Sequence, residues 1–363
     1  MKAVVLAGGQ EFGQCPLSRQ LPRALWPLVD RPLIEHVLAA LRKAGIGQMA
    51  ISANGRTHTI AAHLAYRRTP DIAIHYSEDA MPRGAAGCIK DCQAWLGNDS
   101  FLVVHGASLL LDIDFEQLVV EHRKSGAVVT VAANTDNTGS GDSDHLDLKP
   151  AGLYVCQSDV FPFIKTRGYQ DMKEQLIPRL TEAGLKVQAV PISGRIVPII
   201  NEEAYLNAMV DLLNNTQRRQ AFVAHLPDRS PGIWIDPTAE VDPQSRVVGP
   251  VYVGPGARLA AQSVIIGPAV IGANCQVASE AVIHESILWH DAKVGRGAMV
   301  AQAVVAARAT VNAGVEVQGS IVLDTTLSSA ERQSLTSSTD LLPVELDGRG
   351  WWSRMWNGQS ANA

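Results

Sequence analysis

Long apolar runs are absent from this 363-residue chain. Nothing approaches the roughly 18 consecutive residues that a membrane-spanning helix requires, so no membrane span is expected. Charge is sparse too, at 18% of residues, and the formal net charge is -5. Without a dense Lys/Arg block the chain has nothing to track a phosphate backbone or an anionic lipid surface, and no nucleic-acid partner is expected. Cysteine is scarce and odd in number, at Cys15, Cys88, Cys92, Cys156 and Cys275. No two of these form the C-x-x-C pair that zinc or dithiol chemistry uses. Cys88 and Cys92 read as two buried thiols on one helix face. The amino terminus lacks the basic and apolar segments of a leader and runs straight into a strand (MKAVVLAGG), which predicts a cytoplasmic protein.

What the chain does have is enough length for two cores and an ordinary globular content of hydrophobic residues, 46%. Over residues 1–220 apolar strands alternate with amphipathic helices, the pattern of a largely parallel sheet covered on both faces. Strands are predicted at 2–7, 49–53, 72–77, 101–105 and 127–132. Helices are predicted at 32–45, 57–67, 85–96 and 114–124, the first opening on Pro32 within its first turn. A stretch rich in Gly, Ser and Asp at 134–145 is predicted to be a loop. A strand at 152–156, a helix at 171–184, two strands within 186–200 and a helix at 202–213 complete a Rossmann-like α/β domain.

A second texture fills residues 230–325. Ile235, Val241, Val247, Val253, Leu259, Ile265, Ile271, Val277 and Ile283 recur at hexad spacing. After a one-residue slip the series continues through Leu288, Val294 and Val300, and after another through Val305, Val311 and Val317. Such hexads predict a parallel β-helix, in which each apolar residue points into a narrow core and stacks on its counterpart in the next coil. The tail at 326–363 leaves the rhythm and carries Trp351, Trp352 and Trp356. It reads either as a cap on the open end of the helix or as a docking segment for a partner.

Hexad coils of this kind resemble the left-handed β-helix of acyltransferases and of the carboxyl-terminal part of many sugar nucleotidyltransferases. The amino-terminal motifs decide between them: VVLAGG at 4–9, PL at 16–17, P-x-x-L-x-P-L at 22–28 and RPLIEHVL at 31–38. Together they resemble, without gaps, the opening of the NDP-sugar pyrophosphorylases, GDP-mannose pyrophosphorylase among them. PRGAAGCI at 82–89 is similar to the family's P-L-G-T-A-G-A-L on the nucleobase side, and PAGLYV at 150–155 to its sugar-side strand N-A-G-I-Y-V. LIPRL at 176–180 and EEAYL at 202–206 fit as well. The resemblance implies a nucleotidyltransferase (GT-A-like) α/β domain followed by a left-handed parallel β-helix of hexapeptide repeats. It places nucleotide binding at Leu6, Ala7, Gly8, Gly9, Pro82, Gly84, Gly87 and Gly106, and the sugar side at Gly152 and Lys149. Gly8 and Gly9 follow a strand, where missing side chains let main-chain N–H groups approach a base or phosphate.

Nucleotidyl transfer brings two anionic reactants together, so catalysis rests on cations that neutralise and align phosphates. By the resemblance these are an Arg and a Lys near the glycine loop and a divalent metal held by two aspartates. Here the loop arginine falls on Gly13, with Glu11 and Phe12 before it. The lysine falls on Arg23, which keeps the charge on a planar fork. The metal aspartates fall on Ala107, in His105-Gly106-Ala107, and on Pro198. Neither side chain offers oxygen to a hard cation. Asp112 and Asp114 are the remaining metal candidates, read instead as helix N-terminal residues. Lys149-Pro150 abuts the sugar-side strand directly, with the family's intervening segment missing.

The implied function is that of a degenerate sugar nucleotidyltransferase homologue, a pseudoenzyme in glycan precursor synthesis. It would bind a nucleotide or nucleotide sugar, and a partner that is either a second copy or an active pyrophosphorylase-type subunit, through the β-helix or the tail. No cofactor is expected, and Mg²⁺ only if the site is active. An active pyrophosphorylase with a rebuilt metal site and a purely structural assembly protein stay as alternatives. His284 and His290 are weighed as an acyltransferase-like centre and read as surface residues.

Overall fold

The computed structural model describes residues 1–8, 15–53, 57–66, 72–77, 82–135, 148–223 and 228–324. The chain divides into two units, Met1–Ala208 and Met209–Ala363.

The first unit is built on β1 (Lys2–Leu6), α1 (Leu33–Lys43), β2 (Gln48–Ser52), α2 (Thr57–Tyr66), β3 (Ala73–Ser77), α3 (Gly84–Asp91) and β4 (Phe101–His105). It continues with β5 (Ser108–Leu111), α4 (Phe115–Ser125), β6 (Val129–Thr135), β7 (Leu148–Cys156), α5 (Ile177–Glu182), β8 (Val187–Pro191), β9 (Arg195–Pro198) and the first residues of α6 (Glu202–Asn214), which runs past the boundary at Ala208. One seven-stranded sheet runs in the order β8-β6-β7-β4-β1-β2-β3, parallel except for β7. Alternation along β1 sends Ala3 and Val5 into one core with Ile34, Val37 and Leu41 of α1. Val4 and Leu6 enter a second core with Ala86, Cys88, Ile89 and Cys92. A strand buried on both faces reads as a continuous apolar run, which is why KAVVL is legible in the sequence. Cys88 and Cys92 are both buried, and neither is in a disulfide.

The differences from expectation have local causes. Pro32 is extended, with φ -60° and ψ 149°, and stands just before α1 rather than in its first turn. The helix expected at 85–96 breaks at Cys92, giving α3 and a short turn, Gln93–Leu96. The helix expected from 171 opens as a π-helical turn, Met172–Leu176, because Pro178 has no N–H to close the α-helical bond to residue 174. The strand β5 was not expected; it pairs antiparallel with β9. The strand β6 runs on to Thr135, where Asn134 donates to the Ile196 carbonyl at 2.8 Å and accepts from the Ile196 N–H at 3.0 Å. Most of the expected loop lies outside the described residues.

In the second unit, strands of two or three residues stack into three sheets, parallel apart from the edge strand Asp228–Ser230, which pairs antiparallel with Ile233–Ile235. Val253 pairs with Ile271, Ile271 with Leu288 and Leu288 with Val305, so each sequence slip shortens a coil by one residue. From Leu259 to Val311 every hexad apolar residue is at most 2% exposed, which identifies these side chains as the stacked core. Corners carry residues in the left-handed region, among them Gln262, Asn274, Glu280 and Arg308. Three hexads per coil and three flat sheets are the arrangement of the left-handed parallel β-helix. Trp351, Trp352 and Trp356 lie outside the described residues.

Candidate functional site

In the first unit β1 pairs with β2 on one side and β4 on the other. The carboxyl ends of these strands border the crevice at which open α/β sheets bind ligands. Two of its edges are tied by main chain: Ala7 and Gly8 donate to the Ser52 carbonyl at 2.8 and 3.2 Å, and Gly106 donates to Leu6 at 2.9 Å. Leu6, Ala7, Gly8 and Gly106 are thereby brought together. A Cβ on Gly106 would stand 3.1 Å from Val5 Cγ1, so a side chain there would require Val5 to shift. Gly9 and Gly13 lie outside the described residues.

The positions expected to have held metal also meet. Ile199 donates to the Ala107 carbonyl at 2.9 Å, and Pro198 stands opposite Ser108 in the β5–β9 pair. The Ser108 hydroxyl is buried and lacks a hydrogen-bond partner among the described residues. Arg23 joins them by donating to the Ile200 carbonyl. A short 3₁₀ turn, Arg23–Leu25, sets Arg23 in place, with Ala24 and Leu25 buried beneath it. The turn is braced by Trp26 Nε1 donating to Leu21 at 3.0 Å and by Trp26 packing edge-on against Tyr205 at 5.3 Å. Asp114 is engaged elsewhere, its carboxylate accepting from Gln117 N at 2.9 Å as the cap of α4.

On the expected sugar side, Gly152 has φ +78°, and a Cβ there would lie 2.8 Å from His105 Cδ2. The absent side chain is what admits the imidazole against β7. Burial holds His105 below its ordinary pKa; Lys173 and Arg23 push the same way and Asp171 opposes them. Lys149 is exposed, three residues back along the same strand, roughly 10 Å away at strand spacing.

The segment expected on the nucleobase side is held by backbone. Gln170 N donates to the Arg83 carbonyl at 2.7 Å, and its own carbonyl accepts from Ala86 and Gly87 at 3.0 and 3.3 Å. A Cβ on Gly84, which has φ +72°, would meet that carbonyl oxygen at 2.4 Å. Arg83 is spent on structure, donating to Asp91 at 3.1 Å and to the Thr166 carbonyl at 2.6 Å. Gly87 is buried and Pro82 exposed.

Sequence reasoning passed over Gln170, Asp171 and Lys173. A signal existed: Asp171 caps the following turn, accepting from Lys173 and Glu174 at 2.7 and 3.0 Å, while Gln175 accepts from Asp171 N at 3.0 Å. This is a capping box, legible as Asp followed by Gln, but lengthened by the π turn.

A nucleotidyl transferase family model matches residues 2–141, and a model of the GMPPB C-terminal domain matches residues 230–343. The chain belongs to the sugar nucleotidyltransferase family. This family member is 25% identical to a UTP–glucose-1-phosphate uridylyltransferase of Synechocystis sp., across 92% of the chain and 95% of the relative. It is 24% identical to a mannose-1-phosphate guanyltransferase of Aspergillus fumigatus and 25% identical to one of Candida albicans, each across 66% of the chain and 73% of the relative. Among the described residues no helix is long and apolar enough to cross a membrane.

In the β-helix, His290 is exposed and its Nδ1 lies 2.8 Å from the Asp291 carboxylate. His284 is only 8% exposed and its Nε2 stands 3.9 Å from Glu285. The two are not brought together in any described contact, so the coils contain no paired histidine centre among the described residues.

Proposed function

We propose that this chain is a non-catalytic sugar nucleotidyltransferase homologue, cytoplasmic, that binds a nucleotide or nucleotide sugar and assembles with a partner subunit in glycan precursor synthesis. The observation that carries the reading is the meeting of Ala107 with the Pro198–Ile200 segment. The side chains standing there do not fit a divalent cation, since neither Ala107 nor Pro198 has an oxygen to offer. Losing metal and aligned cations removes terms each worth several kcal/mol of transition-state stabilisation. The binding part of the reading is supported by the side-chain-free positions Gly8 and Gly106 at the strand ends and by the positive charge of Arg23. Nucleotide-binding roles for Leu6, Ala7, Gly8, Gly9, Pro82, Gly84, Gly87 and Gly106, and sugar-side roles for Gly152 and Lys149, belong to this proposal.

A ligand that binds only the folded state stabilises it in proportion to the logarithm of its concentration over Kd. Thermal unfolding with nucleoside triphosphates, diphosphates and nucleotide sugars is expected to show a concentration-dependent rise for at least one of them, equal in Mg²⁺ and in EDTA. Unchanged melting with every one would overturn the binding part of the proposal. A second reading, an active pyrophosphorylase with an altered metal site, is favoured by the nearly end-to-end match to the Synechocystis relative. Direct assay of turnover separates the two.

A further inference from the structure

The turn that opens α3 lies on the ligand side of the first sheet. Strands β3 and β4 run parallel to β1 and β2, so the helix between them runs back across the sheet. It therefore begins at the carboxyl ends of the strands, where open α/β sheets bind ligands. Gly84, the first residue of α3, stands there at φ +72°. A Cβ on it would collide with the Gln170 carbonyl oxygen and would lie 2.9 Å from Tyr169 Cε2. A residue without a side chain lets both approach, so this glycine is what brings the Tyr169 ring into the corner.

The backbone beneath that ring is fixed on both sides. Ahead of it, Arg83 donates to the Thr166 carbonyl at 2.6 Å. Gln170, only 5% exposed, serves as a bracket: its Nε2 donates to the Tyr169 carbonyl at 2.6 Å and its Oε1 accepts from Arg179 at 2.5 Å. Its main chain is tied to Arg83, Ala86 and Gly87. Behind it, Asp171 caps the π-helical turn through the N–H groups of Lys173 and Glu174. The ring itself stays open. Tyr169 is 40% exposed and is the one exposed aromatic among the described side chains. Its hydroxyl makes no hydrogen bond among the described residues.

An aromatic ring that is open to solvent, while its backbone is already ordered, is suited to stack on a planar heterocycle at little entropic cost. We propose that Tyr169 is a base-stacking residue of this crevice, its open surface receiving the nucleobase of a bound nucleotide. The inference rests on the nucleotide-binding reading above and adds to it a contact that the glycine motifs do not supply. Every base has a π-face, so stacking does not choose among bases. Tyr169 therefore contributes preference for nucleotides over phosphates that lack a base, and the phenolic hydroxyl has no part in it.

The test is isothermal titration of the full-length protein with the 5′-diphosphates of adenosine, guanosine, uridine, cytidine and thymidine, and with inorganic pyrophosphate as the probe without a base. The wild type is expected to bind at least one of the diphosphates. Tyr169→Ala should weaken that binding about tenfold or more, whereas Tyr169→Phe should keep it within about twofold. Any affinity for pyrophosphate should be the same in the wild type and in Tyr169→Ala. Tyr169→Leu keeps an apolar contact with Gly84 without a π-face, and should weaken the diphosphate as Tyr169→Ala does. The ring is exposed, so these variants should melt as the wild type does without ligand, which separates loss of binding from loss of fold. Diphosphate binding by Tyr169→Ala within about twofold of the wild type would overturn the inference and leave the nucleotide-binding reading standing. Equal losses in Tyr169→Phe and Tyr169→Ala, or a pyrophosphate affinity that falls in step, would overturn it too. A wild type that binds none of the diphosphates would overturn the reading itself, and the inference with it.

Discussion

The fit of His105 against Gly152 yields a cycle of substitutions whose outcome is set by geometry. Gly152→Ala introduces two penalties. The backbone stands at φ +78°, where a Cβ costs about 1–2 kcal/mol, and the new methyl would lie 2.8 Å from His105 Cδ2, an overpacking worth about 1–3 kcal/mol. Together these predict a loss of about 2–5 kcal/mol, a fall in melting temperature of roughly 5–15 °C for a unit of this size. Removing the imidazole with His105→Ala relieves the clash but leaves the backbone strain. The double variant should therefore be more stable than the sum of the single effects by about 1–3 kcal/mol. Urea unfolding followed by helical circular dichroism measures all four corners of the cycle, because most helices lie in the first unit. Additivity within about 0.5 kcal/mol would refute the claim that Gly152 exists to admit His105.

Other expectations follow from the same contacts. Gly84→Ala pushes a methyl against the Gln170 carbonyl at 2.4 Å; with a rigid acceptor, no side-chain substitution at Gln170 should rescue its instability in thermal unfolding. Burial holds His36 at about 4 in the fold against roughly 6.5 when unfolded, so the unfolded chain takes up the extra proton. Its contribution, up to about 3 kcal/mol, is fully present above pH 6.5 and lost as pH falls through the folded value. The variant His36→Gln should accordingly show a flatter stability profile between pH 4 and about 6.5, and an unchanged slope would contradict the assignment. Burial pushes the Cys156 and Cys275 thiols up to about 12, so neither should react with a maleimide in the native protein at neutral pH, and rapid labelling read by mass spectrometry would count against their burial. In the β-helix, Ile265 is fully buried, and Ile265→Ala should cost about 2–5 kcal/mol, measurable in urea.

The sequence was most legible where one physical rule acted alone. The run KAVVL of β1 is apolar because both faces of a central strand are covered, and the hexads from Ile235 are regular because every coil presents the same narrow core. Even the slips at Leu288 and Val305 appear as shortened coils. Legibility failed where distant segments decide local form. SLLL at 108–111 becomes β5 only by pairing with β9, and the two positions without donors, Ala107 and Pro198, are brought together by that same pairing. The expected helix at 171 is altered by one missing N–H, at Pro178. Gln170 could not be recognised at all, since its part in the site is played by backbone atoms, which every residue possesses.

The central claim is loss of catalysis, and turnover tests it most directly. The purified protein, at micromolar concentration, is to be incubated with Mg²⁺, each of the common nucleoside triphosphates and a panel of sugar 1-phosphates, with pyrophosphate release followed continuously. With Ala107 and Pro198 at the positions where the proposed reading expects metal-binding carboxylates, the account predicts no pyrophosphate above the enzyme-free control. Sustained turnover of about one per second, a barrier near 17 kcal/mol, would contradict it.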